Sequence, residues 1–257
     1  MSLTEYFIIY KTLVKKESER IFRIWPQSLL LSAITMTLYF LIFGKVVGSK
    51  VGEMSGFSYI DFITPGLIIM AVTNNAYSNV VSSFFSDRFN RSIEEMLVSP
   101  VSNHTIIIGY ISGGIIRGFL VGLLVCVVSV FFGAFHIYNI SLAILGFVFC
   151  GSLFALGGLI NGIFSQKFDD TMIIPVFILT PLTYLGGVFF SLNVLPAFWK
   201  NIAMFNPIYY IVDFFRYTCL GQSTVNPYKS FLTIIAFTVI LYLTAFYCLK
   251  KGVRLKE

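Results

Sequence analysis

The sequence predicts an all-α, polytopic membrane protein: six transmembrane helices, an N-terminal amphipathic interfacial helix, and two outer re-entrant half-helices before the last span. Three observations carry that reading. Of 257 residues, 57% are hydrophobic and 12% charged, against roughly 25% charged in an ordinary soluble domain. The apolar residues fall into six long runs separated by short charged stretches, and well inside those runs the one basic or acidic residue is Arg117. No single aqueous core could absorb so much contiguous apolar chain, so residues 1–257 are read as one transmembrane domain.

Residues 3–25 come first. At 100° per residue, Leu3, Tyr6, Phe7, Tyr10, Leu13, Val14, Ile21 and Trp25 share one arc, while Lys11, Lys15, Lys16, Glu19, Arg20 and Arg23 crowd the other. Ile8, Ile9 and Phe22 break the pattern. Such a helix lies on the membrane surface, either as a plain interfacial anchor with snorkelling cations or as a lever joining the first span to a cytoplasmic partner. Trp25-Pro26 marks its end. The apolar runs follow at 28–47, 60–85, 105–132, 142–164, 172–192 and 231–249. About 20 apolar residues cross a hydrocarbon layer, and in lipid the backbone groups close only as helices.

The second run is the least apolar. Asn75, Ser78, Asn79, Ser82 and Ser86 recur every three or four residues as one polar stripe, flanked by Thr73, Asn74 and Tyr77. Polar side chains at that depth face protein or a water-filled path rather than lipid. The stripe therefore means either interhelical hydrogen bonding or a pathway or subunit seam. After it, residues 87–98 alternate charges with apolar side chains at helical spacing (Phe89, Ile93, Met96, Leu97), and Pro100 stops the turn. A short amphipathic helix results. An anionic leaflet would repel Glu94 and Glu95, which favours docking on a protein over lying on headgroups.

The third run carries Gly109, Gly113, Gly114, Gly118 and Gly122, and the fourth Gly151, Ala155, Gly158 and Gly162. Small residues four apart let helix backbones approach, here within one subunit. Arg117 sits about twelve residues past the cytoplasmic start, roughly 18 Å in. It is too deep to reach water easily, so a carbonyl or polar side chain of a neighbour is expected to hold it, and an intramembrane charge is a functional candidate. Beyond the fifth run, residues 195–204 and 207–220 are apolar but too short to cross, and Asn206-Pro207 breaks them apart. They read as outer half-helices. Asp213 and Arg216, three apart, are placed to pair and to hold an outer gate.

Orientation follows from the cations. Lys11, Lys15, Lys16, Arg20 and Arg23 precede the first span, and Lys250, Lys251, Arg254 and Lys256 follow the last. With an even span count, both termini belong in the cytoplasm. Arg88, Arg91 and Lys167 then fall inside too, against Lys45, Lys50, Lys200, Arg216 and Lys229 outside. The net charge of +6 is thus an orientation signal with attraction to anionic lipids, and no nucleic-acid partner is needed. Cys126, Cys150, Cys219 and Cys248 are scattered singly and read as inert thiols. No phosphate-binding loop, HExxH or GxSxG occurs, so catalysis and metal binding are not expected of this chain.

Several stretches resemble a known family: Phe62-Ile63-Thr64-Pro65-Gly66-Leu67; residues 93–102; Thr180-Pro181-Leu182-Thr183-Tyr184-Leu185-Gly186-Gly187-Val188-Phe189-Phe190; then Leu195-Pro196, Asn206-Pro207 and Phe215-Arg216. With the order of elements, they are similar to the permease subunit of type-two ABC exporters. Residues 34–40, 56–59 and 168–170 are similar more narrowly to a bacterial inner-membrane member. The resemblance implies that two permease copies pair, as a homodimer, each binding a separate cytoplasmic ABC ATPase that holds ATP and Mg, with no cofactor on this chain. It implies a bacterial plasma (inner) membrane location. Residues 87–101 become the coupling helix, with Phe89, Ile93, Glu94, Glu95, Met96 and Leu97 facing the ATPase. Spans one, two and five line the dimer seam and path, which puts Thr183 and Tyr184 beside Asn75, Ser78, Asn79 and Ser82. An ion-coupled secondary transporter normally buries a carboxylate, and Asp61 lies only at an outer end. That class, and a non-transporting scaffold, are the alternatives.

Overall fold

The computed structural model describes residues 3–254. Lys256 and the side chain of Leu3, both used above, lie outside the described residues. The chain runs α1 (Leu3–Arg23), α2 (Pro26–Val51), a two-stranded antiparallel hairpin of β1 (Glu53–Met54) and β2 (Phe57–Ser58), and α3 (Tyr59–Phe89). There follow α4 (Ser92–Val98), α5 (Asn103–Phe131), α6 (Ile140–Phe164), α7 (Asp170–Leu185), α8 (Ala197–Met204), α9 (Pro207–Leu220) and α10 (Pro227–Lys251). Local chemistry sets the boundaries. Ser58, Ser102, Asn139, Asn206 and Asn226 each accept a backbone N–H of the turn they open, and Gly221 and Gly252 close α9 and α10 in the left-handed conformation.

Four of these, α2, α5, α6 and α10, are long and apolar enough to cross a membrane. α3 has 31 residues, ample length, but carries the polar stripe. α7 is an apolar helix of about 24 Å at 1.5 Å per residue, short of a hydrocarbon layer of about 30 Å. The fifth run was expected to stay helical to residue 192. It stops at Leu185 because Gly187 turns left-handed (φ +74°) and the next residue is pressed onto α3. A Cβ on Gly66 would meet Val188 Cα at 2.9 Å, so that approach needs glycine.

α3 is the axis of the bundle, packed between α5 and α6. A Cβ on Gly158 would meet Tyr77 O at 2.5 Å, and one on Gly114 would meet Ala155 Cβ at 2.7 Å. The glycines therefore serve packing within one chain. Two of the π-type turns, in α2 (Pro26–Leu30) and α7 (Pro175–Leu179), fall at prolines, where a missing N–H shifts the ladder to i→i+5, and a third in α2, Phe40–Val47, holds no proline. Both helices stay peripheral: Leu31, Ile34, Leu38, Ile173, Val176 and Phe177 are all exposed. One end of the bundle, called the inner end after the topology expected from the cations, gathers Lys16, Asp87, Arg88, Phe164 and Arg254 through direct contacts. Both ends of the described chain thus lie at the same end of the bundle.

α1 differs from the expected surface helix. Its buried side is Tyr10, Leu13, Val14, Glu17, Ile21 and Ser28 of the following turn, whereas Phe7, Phe22 and Trp25 face outward. It is seated on α5, where a Cβ on Gly109 would meet Leu13 at 2.8 Å and one on Gly113 would meet Glu17 at 2.7 Å. Lys16 and Arg20, placed by pattern on the wet face, reach into the bundle instead.

Candidate translocation path and coupling end

The α3 stripe is divided. Asn75 and Asn79 are buried and engaged: Asn75 Nδ2 donates to Ser32 Oγ of α2 at 3.1 Å, and Arg20 Nη2 donates to Asn79 Oδ1 at 2.8 Å and Asn79 O at 2.7 Å. Interhelical hydrogen bonding accounts for those two. Asn74, Ser78 and Ser82 stay half-exposed and continue to exposed Ser86, so this edge of α3 is the open one. Arg117 is held as the sequence suggested, by a polar side chain: Nε donates to Asn75 Oδ1 at 3.2 Å.

Sequence reasoning missed the residue at the centre of this network, Glu17. It is 1% exposed, accepts from Ser83 Oγ at 2.6 Å and pairs with Arg20 Nη2 at 3.3 Å. Its signal was available, because it lies in the apolar arc with Leu13, Val14 and Ile21. An acid in that arc must find a partner. Next to it, Asp87 accepts from both Lys16 Nζ and Tyr110 Oη, and Arg88 donates to the carbonyls of Gly162, Ile163 and Ser165. The inner ends of α1, α3, α5 and α6 are tied by charge.

α4 leaves this knot through Arg91 in the left-handed region (φ 60°). Ile93, Met96 and Leu97 were expected to face a partner. Instead Ile93 is wholly buried in the chain's own core, with Met96 and Leu97 packed against it. An amphipathic pattern says which face is apolar and not which molecule covers it. Phe89 (76% exposed), Val98 (88%), Glu94 and Glu95 form the outward surface. Beside Phe89, a groove of about 350 Å³ runs to Phe168 and Lys167 of the α6–α7 loop.

At the outer end, the stretches that carry the family resemblance converge, except residues 93–102, which lie in and just after α4. Arg216, 6% exposed, donates from Nη2 to Gly187 O at 2.8 Å and from Nε to Phe62 O at 3.4 Å, with its guanidinium 3.9 Å from the Phe62 ring centre. Asn206 Nδ2 donates to Leu182 O at 2.6 Å. The expected Asp213–Arg216 ion pair does not form. Asp213 accepts the backbone N–H groups of Thr224 (2.8 Å) and Val225 (3.1 Å) instead, because the loop after α9 folds back over it. The half-helices break at Asn206-Pro207 as read, but α9 is buried in the bundle instead of lying at its surface. Thr183 points inward, bonded to Leu179 O at 2.7 Å. Tyr184 is exposed and stacks on Phe189, which also meets Tyr39 and Phe43 of α2. The outer ends of α2 and α7 are therefore neighbours.

Helical membrane architecture, an outer junction built from those stretches and an inner charged knot define a polytopic transport permease. The chain belongs to the ABC-2 type transporter family, whose model matches residues 9–220. It is 48% identical over 247 residues to the inner membrane transport permease YadH of Escherichia coli K12, covering 96% of each chain. It is 26% identical over 190 residues to nodulation protein J of Rhizobium leguminosarum bv. viciae, covering 74% of this chain and 73% of that one. Membership makes it a bacterial inner-membrane transport permease, a non-enzymatic subunit whose family implies an ABC ATPase partner.

Proposed function

We propose that this chain is the membrane-spanning subunit of an ATP-driven exporter. Five helices (α2, α3, α5, α6 and α10), and α7 together with the segment 186–192 that continues it, cross the membrane with both termini cytoplasmic, and α8 and α9 lie toward the outer face. Two copies pair across the exposed flanks of α2 and α7 and the open edge of α3, and the path for an amphipathic, lipid-linked, glycan or drug-like substrate runs along that seam. A separate ATPase holds ATP and Mg. The reading is carried by α4: with its apolar side occupied by its own bundle, it presents Phe89, Glu94, Glu95 and Val98 next to an open groove. Buried Glu17 removes the argument that this chain lacks an embedded acid. Family membership is what favours ATP-driven over ion-coupled transport.

The test is charge reversal at Glu94 and Glu95 to Lys. Both side chains are exposed, so insertion should be unaffected while the co-purified ATPase is released or its substrate stimulation falls about tenfold, the equivalent of 1.4 kcal/mol. Unchanged ATPase association and transport would overturn the docking assignment. A reporter fused after Gly221 should read as extracytoplasmic, and a cytoplasmic reading would overturn the topology.

A further inference from the structure

The polar cluster between α1, α3 and α5 holds more donors than acceptors. Arg20 on Asn79 and Arg117 on Asn75 stand about 6 Å apart along α3, one turn. Glu17 is the one carboxylate paired with either, and neighbouring Lys16 and Asp87 neutralise each other. Asn79 is fully buried, yet its Nδ2 has no hydrogen-bond partner, and Arg20 Nε is buried without one. Arg117 is half-buried, and its bond to Asn75 comes from Nε, which leaves the two terminal nitrogens of the fork for another acceptor. Orphaned donors and uncompensated positive charge are both costly away from water. What the cluster lacks is an oxyanion with several acceptor oxygens.

We propose that Arg20, Arg117 and Asn79 form a binding site for the phosphate group of an anionic amphipath. The free end of the Arg117 fork matches two phosphate oxygens, Asn79 would supply an amide N–H, and Arg20, whose terminal nitrogens are bonded to Asn79, Glu17 and Ser82, would add its Nε. The site lies about 15 to 21 Å along α3 from its inner end. Half-exposed Ser78 and Ser82, the latter accepting from Arg20 Nη1 at 3.2 Å, mark an approach along α3. α2, whose Ser32 closes the cluster, exposes Leu31, Ile34 and Leu38, a surface for hydrocarbon chains. This deepens the exporter reading and rests on it for the fate of the ligand, although binding itself requires no ATPase.

The experiment uses the full-length permease in phosphatidylcholine nanodiscs without nucleotide. Phosphatidate is titrated into the bilayer, and bound phosphatidate per chain is counted by native mass spectrometry. Wild type should retain phosphatidate over phosphatidylcholine, and Arg117→Gln should retain about tenfold less, the loss of one charge-assisted contact. Arg117→Lys, which keeps the charge without the fork, should recover part of the binding, and Lys15→Gln, removing the same charge from an exposed position, should change nothing. Inorganic phosphate added in excess separates the sources: failure to displace the lipid identifies a headgroup site, and full displacement identifies a free-anion site. Equal retention by wild type and Arg117→Gln, with the variant eluting as wild type, would overturn the proposal. So would no preference for phosphatidate. A permease that binds phosphatidate but never stimulates an ATPase would fail the exporter reading alone.

Discussion

The two ends of this bundle hold their buried carboxylates in opposite ways. Toward the inner end, carboxylates meet cations and hydroxyls, Asp87 with Lys16 and Tyr110 and Glu17 with Arg20 and Ser83, and Arg117 meets Asn75, while Arg88 and Arg254 are bonded to carbonyls. At the outer end, charge meets backbone: Arg216 with the carbonyls of Gly187 and Phe62, Asp213 with the amides of Thr224 and Val225. The difference has consequences for motion. A side-chain pair can exchange partners when a ligand or a neighbouring protein presents a better one, whereas a charge bonded to main chain fixes the path of the loop it holds. The inner end is built to respond and the outer end to keep a shape. Orphaned N–H donors occur toward the inner end, at Arg20 and Asn79, which fits a network that is incomplete in one state, while a buried hydroxyl without a partner, Ser230, lies at the outer start of α10.

The largest expected effect comes from breaking the inner network at its acid. Glu17→Gln keeps the volume against Gly113 but leaves Arg20 without its carboxylate. Removing one partner of a buried pair costs about 3 to 5 kcal/mol. Unfolding of the full chain in detergent should register that loss, and a change below 1 kcal/mol would mean that the pair is solvated and the contrast between the ends is overstated.

Next comes the outer end. Arg216→Lys retains the charge but cannot fork between two carbonyls or stack on Phe62. Unsatisfied buried acceptors and the lost ring contact predict about 2 kcal/mol. The damage should be local, read as faster proteolysis or hydrogen exchange across 186–192 with the inner end unchanged. Protection lost equally at α4 would show that the two ends are not separable.

How far each end was legible follows from the same contrast. Spacing and small residues announce themselves, so the long apolar helices α2, α5, α6 and α10, the glycine contacts around α3 and the break at Asn206-Pro207 could be read directly. Arg117 was legible too, since one cation in an apolar run has few options. Arg216 and Asp213 were misread because their partners are carbonyls and amides, which every residue carries and no sequence pattern marks. Glu17 was missed because its contacts, Ser83 and Arg20 on Asn79, are set by how α1 lies on α3 and α5. The α4 pattern was half read: its apolar side was identified, but the chain itself covers Ile93, Met96 and Leu97.

The smallest expected effect sharpens the comparison within one helix. Lys15 and Lys16 are adjacent on α1 and identical in chemistry, so sequence alone gives no reason to separate them. Lys15 pairs with Glu19 one turn on, at 3.7 Å, and both side chains are largely exposed, 73% and 66%. Water screens such a pair, and ordering two long side chains offsets most of what it contributes, which is about 0.3 to 0.5 kcal/mol at this spacing. Lys16 meets an Asp87 side chain that is 14% exposed and also bound by Tyr110, so removing it leaves that carboxylate short of a cation where water cannot fully replace it. Lys15→Ala should therefore shift the unfolding midpoint within error and fade further in high salt, while Lys16→Ala should shift it clearly and in a salt-insensitive way. Equal shifts for the two would place Asp87 in water and remove the inner knot from which the response of this end is argued.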